Sequence, residues 1–175
     1  VTAPKARWWN DGRAALVGAL LMVLGNATAH MLMLPPYQAV DEGRHMGYAV
    51  ALTTGHIPHV LDPIEPKDLA LPDIKGTNIQ AAAAHPPLYH SIVGFPVKLA
   101  SQAGSAAVAV RIARSISIVF GLLSVAMMYR LLRTLLPGRR DLVAMALGAV
   151  ACLPIFTFAI SVAYNDALAM LGVTG

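Results

Sequence analysis

The stretch AALVGALLMVLGNATAHMLMLPPYQAVDEGRH, residues 14–45, decides what kind of protein this is. Residues 14–34 hold no Asp, Glu, Lys or Arg. At about 21 residues they make enough helix to cross a hydrocarbon layer of about 30 Å. Pro35-Pro36 then stops the run, and two adjacent acids, Asp41 and Glu42, follow. Lys5, Arg7 and Arg13 precede it, which makes its start cytoplasmic by the positive-inside rule, and Trp8-Trp9 suit an interfacial anchor. The alternative is a cleaved signal peptide ending near Ala27-Thr28-Ala29. Continuation through Met31-Leu32-Met33-Leu34 argues against it.

The rest of the chain agrees with a membrane protein. Of its 175 residues 57% are hydrophobic and 13% charged, against about a quarter charged in an ordinary soluble domain. Mean hydropathy is +0.61. The net charge of +4 comes from basic residues clustered by loop, with no basic patch interleaved with aromatics, so nucleic acid is not an expected partner. The single cysteine, Cys152, lies in an apolar run and reads as a packing residue.

Two later runs also span. One is 112–132, bracketed by Arg111/Arg114 and Arg130/Arg133; the other is 142–163, which contains Pro154. Residues 86–103 are apolar but short and carry Pro96 and Lys98. If they crossed, Arg130, Arg133, Arg139 and Arg140 would fall outside, against the positive-inside rule. A non-spanning segment keeps those arginines cytoplasmic and puts Asp41 and Asp166 on one external face. The organisation expected is therefore a cytoplasmic N-terminus (1–13), a first transmembrane helix (14–34), an external loop (35–110), a second transmembrane helix (111–133), a cytoplasmic loop (134–141), a third transmembrane helix (142–163), and an external loop opening a further helix (164–175). The apolar stretch from Leu168 running to Gly175 reads as part of a longer protein. Within the external loop, 41–54 predicts a short helix stopped by Gly55, lying flat at the interface on Met46, Ala49, Val50 and Thr53.

Three constellations could carry chemistry. Asp41-Glu42-x-x-His45, with Arg44 between, is either an acidic helix start or a carboxylate held at the membrane surface as general base or metal ligand. His85-Pro86-Pro87-Leu88-Tyr89-His90 is either a proline-led helix start or a phosphate site at headgroup level. Tyr164-Asn165-Asp166 suits a helix cap. The histidines lack zinc spacing, and there is no Walker loop, dinucleotide fingerprint or Gly-x-Ser-x-Gly.

These pieces in this order resemble the N-terminal part of membrane glycosyltransferases with the GT-C fold. That group includes protein O-mannosyltransferases, lipid A aminoarabinose transferases and related bacterial membrane transferases. The resemblance rests on Asp41-Glu42 after the first span, GHIP (55–58), HPPLYH (85–90), RIARSISIVFGLLSVAMMYRLLRTLLP (111–137) and SVAYNDALAM (161–170). It implies an all-α integral membrane protein, a multi-span GT-C bundle with juxtamembrane helices in the first external loop, of which this chain alone is inactive. It implies a multi-pass inner (plasma) membrane protein that takes a sugar from a polyprenyl-phosphate donor at its external, periplasmic face. The acceptor is a cell-envelope glycan, lipid or protein, and the surroundings are membrane lipid. Asp41 would be the general base of an inverting transfer, with Glu42 and Asp166 orienting the acceptor, tuning Asp41 or holding a divalent cation (Mg or Mn). His85, Arg44, Lys67, Lys75 and Tyr89 are the candidates for the donor phosphate, His85 first. The competing expectation is a non-catalytic membrane subunit or transporter fragment.

Overall fold

The computed structural model describes residues 12–55, 57–64 and 80–174, and among them every regular element is a helix. α1 (Arg13–Met33) takes up the first apolar run, built from strong helix formers and stopped by Pro35-Pro36. Only Ala19, Val23 and Ala27, spaced four apart, are buried, while Val17, Leu21, Leu24, Leu32 and Met33 face outward. Large apolar chains turned outward around most of a helix fit lipid better than water.

α2 (Glu42–Leu52), a 3₁₀ turn (Ala81–Ala84), α3 (Leu88–Gln102) and α4 (Ala106–Leu135) follow. The hydroxyl of Ser105 caps α4 by accepting the Val108 N–H at 3.3 Å. With 30 residues, α4 is about 45 Å long. α1 and α4 are each long and apolar enough to cross a bilayer. They run antiparallel. Gly12 lies against Tyr129 and Arg133, and the other end of α1 meets Arg114 and Ser115. We call the end where α1 finishes the upper end. There α4 outruns α1, and α2 and α3 pack against its projecting residues. α3 turns into α4 through Gly104, at φ 83°, and its first turn reaches down to Ser117 through Tyr89. α3 thus lies along the projecting part of α4.

The expected third span, 142–163, is not one continuous helix. It divides into α5 (Arg140–Ala151) and α6 (Pro154–Ser161), bent by 59°. Pro154 has no N–H to continue the ladder and opens α6 at its first turn, where that loss costs nothing. The second span also starts earlier than expected, at Ala106, so Arg111 and Arg114 sit inside α4. α7 (Asp166–Thr174) folds back onto α4. α6 crosses α4 at Gly121, where an added Cβ would stand 2.6 Å from the Ile160 side chain.

Two apolar cores result. The lower one joins Ala19, Val23 and Ala27 of α1 to Ile118, Val125, Val143, Leu147, Phe156 and Ile160. The upper one joins Met46, Ala49 and Val50 of α2 to Tyr89, Val93, Val97, Ala109, Val110 and Ala113. Phe120 packs against both. α2 departs from the flat amphipathic helix expected at the interface, because all but three of its residues are buried. Its small residues let neighbours close over it. Ile64 covers Gly47, and α3 approaches so closely that a Cβ on Gly94 would sit 2.2 Å from the Ala49 carbonyl oxygen.

Candidate functional site

At the junction of the two cores Arg114 meets Glu42, with side chains 1% and 0% exposed. The guanidinium donates from Nε to Glu42 Oε1 at 2.8 Å and from Nη2 to Oε2 at 2.7 Å. Nη1 also donates to the Met31 and Leu34 carbonyls at 3.0 and 2.6 Å, and Nη2 to the Pro35 carbonyl at 3.0 Å. An arginine has five N–H donors, and all five are used. Met31 lies in the last turn of α1, where carbonyls lack a helical partner, and Leu34 and Pro35 follow directly. Glu42 in turn accepts the backbone N–H of Tyr37 at 3.0 Å and of Ala163 at 3.3 Å. One ion pair thus ties together α1, α2, α4 and the segment after α6. The turn that wraps it holds Tyr37 and Asp41 in left-handed backbone, each at φ 60°. For a tyrosine that conformation costs about 1–2 kcal/mol, and the hydrogen bond to Glu42 holds it.

Above this pair lies a cluster of rings. His45 Nδ1 and His90 Nε2 are 2.9 Å apart and share a proton-bearing hydrogen bond. His45 stacks on His90, His85 and Tyr164, with ring centroids at 5.2, 5.4 and 4.9 Å. Burial, then His85, push His45 down to about 4 against the pull of Asp41. Burial, then His45, push His90 down to about 3. Both rings are neutral near pH 7, so neither serves as a cationic general acid there. The Tyr164 hydroxyl is buried with no hydrogen-bond partner among the described residues. Its pKa is raised by burial first, then by the negative charge of Asp41, Glu42 and Asp166, with Arg114 opposing. The charges of Asp41, Glu42 and Asp166 thus all act on this one phenol.

The expected site residues divide by exposure. Asp41 is exposed, and its carboxylate pairs with Arg44. Asp166 is exposed at the first turn of α7, and His85 is exposed on the face of His45. These four form the open mouth. Glu42 is sealed beneath it with both oxygens engaged, which closes it to an acceptor or a cation and makes it a positioning group. Tyr89 is 2% exposed and hydrogen-bonded to Ser117 Oγ at 2.8 Å; it holds α3 to α4 and reaches no phosphate. Lys67 and Lys75 lie outside the described residues. Among the described residues no group of three His, Cys, Asp or Glu is placed to hold a metal.

Sequence reasoning gave Arg114 and Tyr164 no role at the site. The signal for Arg114 was its position inside an apolar helix, where a charge has to be paired and is functional by default. Tyr164 carried no signal beyond adjacency to Asp166. Below the mouth, an apolar groove of about 560 Å³ runs between α4, the α5–α6 bend and α7. Val125, Met128, Ile155, Phe156 and Met170 line it, and Asp166 is its one charged wall. Comparison with protein-family models, curated proteins and solved structures returned no match to this chain.

Proposed function

We propose that this protein is a membrane glycosyltransferase of GT-C type. It moves a sugar from a polyprenyl-phosphate donor to an acceptor hydroxyl at the external face of the plasma membrane, with inversion. The observation that carries the reading is an apolar groove that reaches Asp166, at the end of two apolar helices and on the side where Tyr164 feels the charge of both Asp41 and Asp166. A lipid-linked sugar needs that combination: a dry channel for the isoprenoid and a polar mouth for the reacting carbon.

Asp41 accepts the acceptor's hydroxyl proton as that oxygen attacks the anomeric carbon. The carbon–oxygen bond to the donor phosphate breaks on the opposite face, and the configuration inverts. The departing phosphate keeps the electron pair and needs cationic or hydrogen-bonding support. Arg44 and His85 supply it. In the free protein Arg44 rests on Asp41. The donor phosphate draws Arg44 away, so the carboxylate is released when the donor is seated. Asp166 orients the acceptor.

The test supplies radiolabelled polyprenyl-phosphate sugars to the protein in membranes and follows transfer to extracted acceptors. Asp41→Asn is expected to lower transfer by about 100-fold or more. Equal transfer by both proteins would remove Asp41 as the base. No transfer by either, with folded protein and a broad donor set, would favour the non-catalytic subunit or transporter reading.

A further inference from the structure

The opposite end of α1 and α4 carries a second polar site, independent of the chemistry at the upper mouth. A cavity of about 600 Å³ is lined by Arg13 from α1 and by Tyr129, Arg130, Arg133 and Thr134 from α4. Arg133 lies over the Tyr129 ring at 5.8 Å and donates to its hydroxyl oxygen at 3.1 Å. That contact fixes one guanidinium at the cavity wall. Among the described residues the lining holds three arginines and no acid. Among the described residues this end of the molecule carries Arg13, Arg130, Arg133, Arg139 and Arg140 against Asp141.

The surface below the cavity decides what anion it fits. Val17, Leu21 and Leu24 follow Arg13 at helical spacing, and all three are exposed. Leu123 and Val119 precede Arg130 at helical spacing and are exposed too. Arg13 and Arg130 therefore each head an apolar stripe that runs toward the middle of the molecule. A free anion would use the guanidiniums and leave the stripes idle. We propose that this cavity binds the phosphate headgroup of an anionic phospholipid, whose acyl chains lie along the two stripes. The guanidinium fork suits phosphate oxygens in pairs, and attraction to anionic lipid is worth about fivefold in binding per basic residue near the surface.

The experiment uses the full chain in a neutral detergent and native mass spectrometry, with short-chain phosphatidylglycerol, short-chain phosphatidylcholine and inorganic phosphate as probes. Wild type is expected to retain phosphatidylglycerol at least about tenfold better than phosphatidylcholine. Arg13→Gln/Arg130→Gln is expected to lose that preference, and Arg13→Lys/Arg130→Lys to keep most of it. Equal retention of the two lipids by wild type would overturn the proposal, as would an unchanged preference in the glutamine variant. Loss of preference in the lysine variant with a wild-type elution profile would overturn the charge argument. Inorganic phosphate bound as tightly as phosphatidylglycerol would overturn the lipid assignment, since the stripes would then contribute nothing.

Discussion

The upper and lower halves of this molecule are both helical and both packed on α4, yet they are held by different physics. The lower core is apolar and its surface is apolar too; Ser124, buried there, bonds only to the Phe120 carbonyl of its own helix, at 2.9 Å. The upper core encloses Glu42, His45, His90, Arg114 and Ser117. A lower-half residue can be lost with the cost of its volume. An upper-half polar residue leaves a partner stranded, and a buried unpaired charge costs far more than a missing methyl.

The largest break in that contrast is expected from Arg114→Met. Glu42 would stay buried without its partner and the end of α1 would lose three donors. The cost is about 3–5 kcal/mol, read by chemical unfolding. Glu42→Met/Arg114→Met is expected to recover only part of it, because the Met31 and Leu34 carbonyls lose their donor; full recovery would show that the ion pair alone mattered. Next comes Gly94→Ala. Its Cβ would run into the Ala49 carbonyl oxygen, and separating α2 from α3 is expected to cost about 1–3 kcal/mol, with hydrogen exchange rising in α2 first.

Acid should divide the halves as well. His45 and His90 have folded pKa values of about 4 and about 3, below the unfolded value of 6.5. Their stability contribution is present above pH 6.5 and is lost as pH falls toward about 4, where only the unfolded chain takes up the protons. The slope is about 1.4 kcal/mol per pH unit for each ring. The rings facing this pair are His85, Tyr164, Tyr48 and Tyr89, with Asp41 the nearby acid. His90→Leu should flatten the melting temperature between pH 4 and 6.5. The smallest effect belongs to the lower half. Gly25→Ala meets no atom within 4 Å, and is expected to stabilise α1 by less than about 1 kcal/mol.

The two halves also differed in how far they could be read from the sequence. Residues 14–33 lie within α1, one residue short of the expected span, and 112–132 within α4, because hydropathy is local and each helix is apolar on most sides. The break at Pro154 needed only the rule that proline opens helices. The upper half resisted. Two neighbouring acids gave no means to tell which faces inward; Glu42 opens α2 and points at Arg114, while Asp41 sits before the helix in left-handed backbone and turns to solvent. The Glu42–Arg114 pairing crosses 72 positions, beyond any local pattern. The burial of α2 depends on Gly47 and Gly94, residues whose hydropathy says nothing about how closely a neighbour comes.

Arg114 and Arg133 stand on one unbroken helix, nineteen residues or about 28 Å apart. With α1 and α4 across a bilayer, that interval is a thickness gauge. Arg133, exposed beside the lower cavity, can bend its stem toward water when the membrane thickens. Arg114 cannot, since every donor it owns is committed. A thicker membrane would thus be met by tilting the helices or thinning the lipid around the upper end, and the depth of the mouth follows the arginine that cannot move.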